Sequence, residues 1–164
     1  MQNSSDEKII APAQKQETRK PSSTERIWGK AVLRHGYTSM PSILIKAQRR
    51  LGISPLQMNI IIQLLDYWHE PERKPFPTKK DLAARMDVTG KTIQNNIRQL
   101  EQAGLIRRQG RRTACGDWAS NIYDLDGLVE RIKTHEPEFT EAKEKKRQAQ
   151  RQAETPIGRR GADA

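Results

Sequence analysis

What this chain lacks narrows its class first. It has one cysteine, Cys115, so no intrachain disulfide can form, which fits a reducing compartment. No apolar run approaches the roughly 20 residues that a membrane-spanning helix needs, because Gln63 directly follows the longest apolar cluster at residues 60–62. Residues 1–20 lack the apolar centre of a secretory signal. We therefore expect a cytoplasmic protein without a membrane segment.

Motifs of the common catalytic and metal sites are also missing. No serine lies in the strand-elbow glycine motif of hydrolases, and residues 90–92 lack the preceding glycine of a phosphate-binding loop. His69 and Cys115 do not have the Cys–Cys or His–His partners of a structural zinc site. We expect no enzymatic activity, no cofactor and no metal. Because no separate ligand domain is discernible, no small-molecule ligand is implied.

Positive charge, in contrast, is abundant and concentrated. Of all residues, 34% are hydrophobic and 30% are charged, and the net charge is +10. Residues 79–112 alone carry nine basic and three acidic residues. A basic stretch of this kind is typical of a nucleic-acid site. The composition therefore favours a polyanionic partner.

Composition also divides the chain into three parts. Residues 1–25 are rich in Gln, Ser, Lys, Glu and Pro, which predicts a disordered N-terminal arm. Residues 26–136 hold the periodic apolar patterns of one folded domain, with order beginning near Ile27. Residues 137–164 are charged and poor in apolar residues. We expect Pro137 to end the last helix of the domain and a partly helical or disordered tail to follow.

Two helices are predicted in the first half of the domain. One covers residues 43–51 and ends at Gly52. Ser54 and the proline after it begin the second. A wide apolar stripe continues that helix to about residue 68, so we expect Tyr67 and Trp68 in the core.

A short helix, a tight break and a longer helix follow. Thr78 and Asp81 have the spacing of a capping box and begin the short helix. Residues 87–89 form the break, and Thr89 caps a helix over residues 90–103 that ends at Gly104. The inward residues predicted for this second helix are Ile93, Ile97 and Leu100.

A hairpin and a last helix complete the domain. Residues 105–109 and 120–124 have strand patterns and are joined by a loop containing glycines and arginines. Trp118 packs under this hairpin or stacks on a base or sugar, and packing is the favoured interpretation. Asp126 is the predicted cap of the last helix. Its apolar residues are Leu125, Leu128, Val129 and Ile132.

Two runs of sequence carry a family resemblance. Residues 77–93 (PTKKDLAARMDVTGKTI) and 100–106 (LEQAGLI) resemble the winged helix-turn-helix families of bacteria. Residues 37–55 also resemble a subgroup that occurs in transcription regulators and in replication proteins of phages and plasmids. The resemblance covers about residues 36–126. It implies a mainly α fold with a small β-hairpin, and DNA binding as the class of function.

The helix predicted over residues 90–103 is the expected recognition helix. We expect it to lie in the major groove of DNA, where the base edges carry a complete code. Residues 91–102 contain a single acid, Glu101, and it lies toward the core side of the helix. A face that is merely solvated would usually carry alternating acids. The N-terminal turn lies deepest, so we expect base contacts there and phosphate contacts elsewhere. The predicted DNA-contacting residues are Lys79, Lys80, Thr89, Lys91, Thr92, Asn95, Arg98, Gln99, Arg111 and Arg112.

Three functions are compatible with this pattern. The first is a sequence-specific transcription regulator that binds double-stranded DNA, acting as a homodimer on paired half-sites. The second is a DNA-binding replication or maintenance protein of a phage, plasmid or integrated element. The third is a winged-helix module that binds other proteins, since a fold alone does not determine function.

Overall fold

The computed structural model describes residues 20–112, 114–115 and 119–155 and divides the chain into two compact units, Met1–Tyr37 and Thr38–Ala164. In the first unit, helix α1 spans Ser23–Leu33 and bends at Gly29, whose φ is +78°. The sequence predicted disorder through residue 25. The helix begins earlier because the Ser22 hydroxyl accepts a hydrogen bond from the Glu25 amide and satisfies the first turn.

The second unit contains five helices and a hairpin among its described residues. The helices are α2 (Ser42–Ala47), α3 (Pro55–Asp66), α4 (Lys79–Met86), α5 (Gly90–Gln102) and α6 (Asp126–Glu154). Strands β1 (Arg107–Gln109) and β2 (Ile122–Asp124) pair antiparallel between α5 and α6. This order confirms the predicted mainly α, winged helix-turn-helix fold.

Local capping explains where three of the helices begin. Ser54 and Gln57 form a reciprocal capping box at α3, and Thr78 and Asp81 form another at α4. The Thr89 hydroxyl accepts a hydrogen bond from the Thr92 amide at the start of α5. All three starts were predicted from sequence, α4 from the capping-box spacing of Thr78 and Asp81, and α3 and α5 from Ser54 and Thr89 as capping residues.

One apolar cluster holds α3, α4, α5, the hairpin and the start of α6 together. Ile60, Ile61 and Leu64 of α3 are fully buried, which agrees with its predicted wide stripe. From α5, the predicted inward residues Ile93, Ile97 and Leu100 enter the same cluster. Because the apolar side of α5 is used in the core, its polar side faces solvent.

The hairpin is joined to the segment that precedes α4. Within the hairpin, Arg108 is opposite Tyr123, and Tyr123 is almost fully buried. The Tyr123 amide donates a hydrogen bond of 2.8 Å to the Pro75 carbonyl. The connection between α3 and α4 therefore lies along β2, and the base of the wing is anchored to it.

The start of α6 differs from the sequence prediction. Asp126 is its first helical residue rather than its cap, and Leu125 at the cap position makes no side-chain hydrogen bond. The Asp124 carboxylate instead accepts a hydrogen bond of 2.9 Å from the Asp126 amide. The capping acceptor is thus supplied by the end of β2.

Helix α6 also continues where it was expected to end. Pro137 lies inside the helix, although its ring removes one backbone donor. Directly after it, Glu138 forms an ion pair of 2.7 Å with Arg50, whose guanidinium also lies 5.9 Å from the Phe139 ring centroid. These contacts support the turn beyond the proline.

The end of α3 corrects a further prediction. The helix ends at Asp66, and Tyr67 is 36% exposed rather than part of the core. Its ring lies 4.8 Å from the Arg85 guanidinium carbon. Trp68 is half-buried against the core. Trp118, for which packing was favoured over base stacking, lies outside the described residues.

Candidate nucleic-acid interface

The exposed side of α5 collects the polar residues that the sequence placed outward. The predicted inward residues of α5, at positions 93, 97 and 100, are buried, which confirms the predicted orientation of the helix. The exposed residues on the other side are Lys91, Asn95, Arg98, Gln99 and Gln102. An α-helix with donors and amides on one open face has the dimensions and the chemistry to enter a major groove.

Within the described part of the chain, carboxylates pair with three arginines of the stretch 79–112. Arg85 contacts Asp66 at 2.9 Å. Arg107 bonds Asp124 at 2.6 Å across the hairpin. Arg108 bonds Glu101 at 3.0 Å. These arginines are neutralised by the protein itself, so they contribute less to the attraction of a polyanion.

Lys91, Asn95 and Arg98 have a different environment. In the parts of the chain that the structure describes, none of the three side chains has a hydrogen bond or an ion pair. Donors that make no bond within the protein have no intramolecular bond to break when they contact phosphates or base edges. This is the arrangement expected of residues that contact an external partner.

The two threonines at the start of α5 serve the helix itself. The Thr89 hydroxyl lies 2.8 Å from the Thr92 hydroxyl and also accepts a hydrogen bond from the Thr92 amide. Both were predicted to read bases. Their mutual contact holds the first turn of α5 in place, next to the open face that Lys91 and Asn95 occupy.

Gln99 links α5 to α3. Its side-chain oxygen accepts a hydrogen bond of 2.8 Å from Gln57, which is 7% exposed. The Gln57 oxygen in turn accepts a hydrogen bond of 2.9 Å from the Ser54 amide. Gln99 therefore has a positioning contact that the sequence did not reveal, because its partner is 42 residues away.

The start of α4 adds two lysines. Lys80 is exposed, and the Lys79 ammonium donates to Gln94 of α5 at 3.3 Å. Within the cap, hydrogen bonds from the Thr78 hydroxyl and amide lower the pKa of Asp81. The helix start thus combines positive dipole, amide groups and lysines, which suits a phosphate.

In the wing, Arg111 is held by an aromatic ring. Its guanidinium carbon lies 4.8 Å from the centroid of Phe76, and Arg73 lies 5.7 Å from the same centroid. The Ala119 amide donates to the Arg111 carbonyl at 2.9 Å, which closes the described base of the loop. Arg112 is exposed. Residues 113 and 116–118 of this loop lie outside the described part.

Comparisons with known proteins agree with this geometry. A family model described as a helix-turn-helix domain matches residues 51–106, which contain α3, α4 and α5. This stretch of the chain is similar to that family, and its helices α4 and α5 follow each other in the order of a helix-turn-helix. No curated protein matches its sequence.

Two solved structures are similar to the helix-turn-helix domain and its surroundings. The N-terminal domain of DnaD protein from Geobacillus kaustophilus HTA426 is 23% identical, with a TM-score of 0.50 over 70% of this chain and 91% of that chain. A possible transcriptional regulator from Methanosarcina mazei Go1 is 12% identical, with a TM-score of 0.42 over 66% of this chain and 85% of that chain. The first of these similarities supports the fold.

Other kinds of site are not evident around the helix-turn-helix domain. Among the described residues, no three His, Cys, Asp or Glu side chains are grouped to hold a metal ion. None of the helices in the described ranges is long and apolar enough to cross a membrane. Sequence reasoning missed Arg73 and Phe76, since neither belongs to a periodic pattern and their contact with the wing is tertiary.

Proposed function

We propose that this protein binds double-stranded DNA sequence-specifically and acts as a transcription regulator, with α5 in the major groove. One observation carries the proposal. Lys91, Asn95 and Arg98 lie on one open helix face without partners in the described structure, whereas Arg107 and Arg108 nearby are paired with carboxylates. An unpaired, donor-rich face on a helix-turn-helix domain suits phosphates and purine edges.

Two other roles use the same domain. A DNA-binding replication or maintenance protein of a mobile element would read its site with the same face, and the genomic position of that site separates the two. A winged helix that binds proteins is distinguished from both DNA-binding roles by how its binding affinity depends on salt concentration. DNA binding through several cations must weaken steeply as salt is added, while an apolar protein interface does not.

The proposal includes a homodimer on paired half-sites, because one recognition helix reads only a few base pairs. Of the apolar residues at and near the start of α6 that could contribute, Leu125 and Leu128 are buried in the domain's own core. Val129 and Ile132 are partly buried. The free chain is therefore expected to associate weakly and the DNA complex more strongly. Sedimentation at rising concentration, with and without paired sites, checks this.

The decisive experiment is selection of bound sequences from random duplex DNA, with the full chain, Asn95→Ala and a control, Asn59→Ala. Asn59 is an exposed amide on α3, outside the proposed interface. Asn95→Ala should lose about 1–3 kcal/mol of discrimination at one base position, and Asn59→Ala should select the parent site. Identical sites from all three proteins would refute base reading by Asn95, and failure to enrich any sequence would refute specific binding.

A further inference from the structure

Two guanidinium groups from distant parts of the chain meet on one aromatic ring. Phe76 is half-buried in the connection between α3 and α4. Arg73 precedes it in the same connection, and Arg111 comes from the wing, with guanidinium carbons 5.7 and 4.8 Å from the ring centroid. Both distances are within the range of cation–π attraction. The ring therefore brings two positive charges together.

The charge balance at Phe76 differs from that of the other such contacts. Arg50 over Phe139 is paired with Glu138, and Arg85 over Tyr67 is paired with Asp66. The Lys74 ammonium over the Trp68 ring contacts Asp124 and Asp126. In the described part of the chain, neither cation on the Phe76 ring has an ion pair with a carboxylate. Among the described residues, no ion pair offsets the repulsion between these two guanidinium groups.

A bound anion would offset the repulsion between the guanidinium groups of Arg73 and Arg111. A guanidinium that stacks through its planar face keeps its N–H donors in the plane, where they can bind a phosphate in bidentate fashion. Among the described residues, neither side chain donates a hydrogen bond, so the contact with the ring leaves their N–H donors available. Ordering long side chains in advance reduces the entropy lost on binding.

The ring also lies where the connection between α3 and α4 meets the start of α4. Phe76 and Arg73 border a surface pocket of about 530 Å³ whose lining also includes Thr78 and two carboxylates, Glu70 and Asp81, while Arg111 lies outside that lining. The Asp81 carboxylate in this lining is engaged by the Thr78 amide and hydroxyl. The pocket therefore lies at the start of α4. The same connection is bound to β2 through Pro75, so the wing and the helix-turn-helix meet at this ring.

We propose that Arg73 and Arg111, positioned by Phe76, form one phosphate-binding unit that holds the DNA backbone beside the wing. This inference rests on the DNA binding proposed above. It adds Arg73 as a contact residue and Phe76 as a positioning residue. The occupant is a phosphodiester of duplex DNA, and the base identity next to it is irrelevant to the contact.

The first test measures duplex affinity against salt concentration for Arg73→Gln and Phe76→Leu in the full chain. Arg50→Gln and Phe139→Leu are matched controls, because they alter the same kind of contact where a carboxylate completes it. Arg73→Gln should weaken binding roughly tenfold and reduce the salt slope by about one. Phe76→Leu keeps both charges and should still weaken binding severalfold. If the duplex affinities and salt slopes of these two variants equal those of the controls, Arg73 and Arg111 do not form a phosphate-binding unit.

A second test does not depend on DNA. Inorganic phosphate is added at constant ionic strength while the arginine side-chain N–H signals are followed by NMR. The signals of Arg73 and Arg111 should shift together, more than that of Arg50, and Phe76→Leu should remove the difference. A phosphate response without duplex binding refutes the proposed function and retains the anion site. Duplex binding without a phosphate response of the two arginines refutes the site. A Phe76→Leu variant that has a lower melting temperature but unchanged phosphate response and duplex affinity also refutes it.

Discussion

Helices α5 and α6 are both rich in charged and polar side chains but use them differently. Helix α5 buries three apolar residues and presents Lys91 and Arg98 without partners in the described structure. Helix α6 buries only Leu128, although it is 29 residues long. Two of its ion pairs lie within the helix, Lys133 with Glu130 and Lys145 with Glu141. Two others join it to other parts of the fold, Asp126 with Lys74 and Glu138 with Arg50.

The difference shows that the number of positive charges does not locate a binding face. On α6, acids at helical spacing neutralise some bases and leave a solvated surface. On α5, the buried ridge orients the opposite face, and few acids are near it. A surface that attracts DNA needs both conditions, an orientation fixed by the core and cations that the protein has not already paired.

The largest expected effect tests the structural half of this comparison. Ile97→Ala removes a fully buried side chain of α5 and should cost about 2–5 kcal/mol of unfolding free energy. Ile132→Ala on α6 removes a partly buried one and should cost about 1–2 kcal/mol at most. Urea denaturation of both variants gives the values. Equal losses would show that α6 contributes to the core as much as α5 does.

The next effect tests the binding half. Replacing Lys91, Asn95 and Arg98 together with Ala should weaken duplex binding by about 100-fold or more, since each contact contributes about 1–3 kcal/mol. Replacing Lys143 and Arg147 on α6 removes as much charge and should weaken it only about two- to threefold, because screened charges act weakly at a distance. Fluorescence anisotropy measures both. Comparable losses would mean that α6 also contacts DNA.

The smallest expected effect concerns how stability depends on pH through the Asp124 carboxylate, which caps the start of α6. Burial raises the pKa of Asp124, but hydrogen bonds from Arg107 and the Asp126 amide and the charge of Lys74 lower it, and the net shift is downward. A lowered folded-state pKa means that the stabilisation is present above the ordinary pKa and is lost as pH falls through the folded value. The start of α6 should therefore weaken in acid, while the apolar contacts of α5 should not.

Asp124→Asn tests this directly. It should cost about 1–3 kcal/mol at neutral pH and flatten the acid side of the stability curve. Glu144→Gln, on the exposed part of α6, is the control and should leave the curve unchanged. Thermal unfolding followed by circular dichroism over a pH series measures both variants. A wild-type acid slope in Asp124→Asn would assign the pH dependence to other carboxylates, such as Asp66, whose pKa is lowered by hydrogen bonds from Thr38 and Arg85.

Much of the fold follows from local sequence. The starts of α3, α4 and α5 depend on capping pairs three residues apart, and the inward face of α5 depends on spacings of three and four. Such interactions form within one or two turns, so the chain specifies them before any tertiary contact exists. The exposed polar face of α5 and most candidate site residues could therefore be named from sequence alone.

Tertiary structure decided which charges remain available to a partner. Arg85 and Arg107 find their carboxylates 19 and 17 residues away, and Arg73 meets Arg111 only because Phe76 lies beside the wing. Helix α6 continues beyond Pro137, where Glu138 is bound by Arg50, a residue 88 positions earlier in the chain. No local pattern encodes these contacts. The geometry of a side-chain pair depends on where the packed elements place its two members, and only the assembled core determines that.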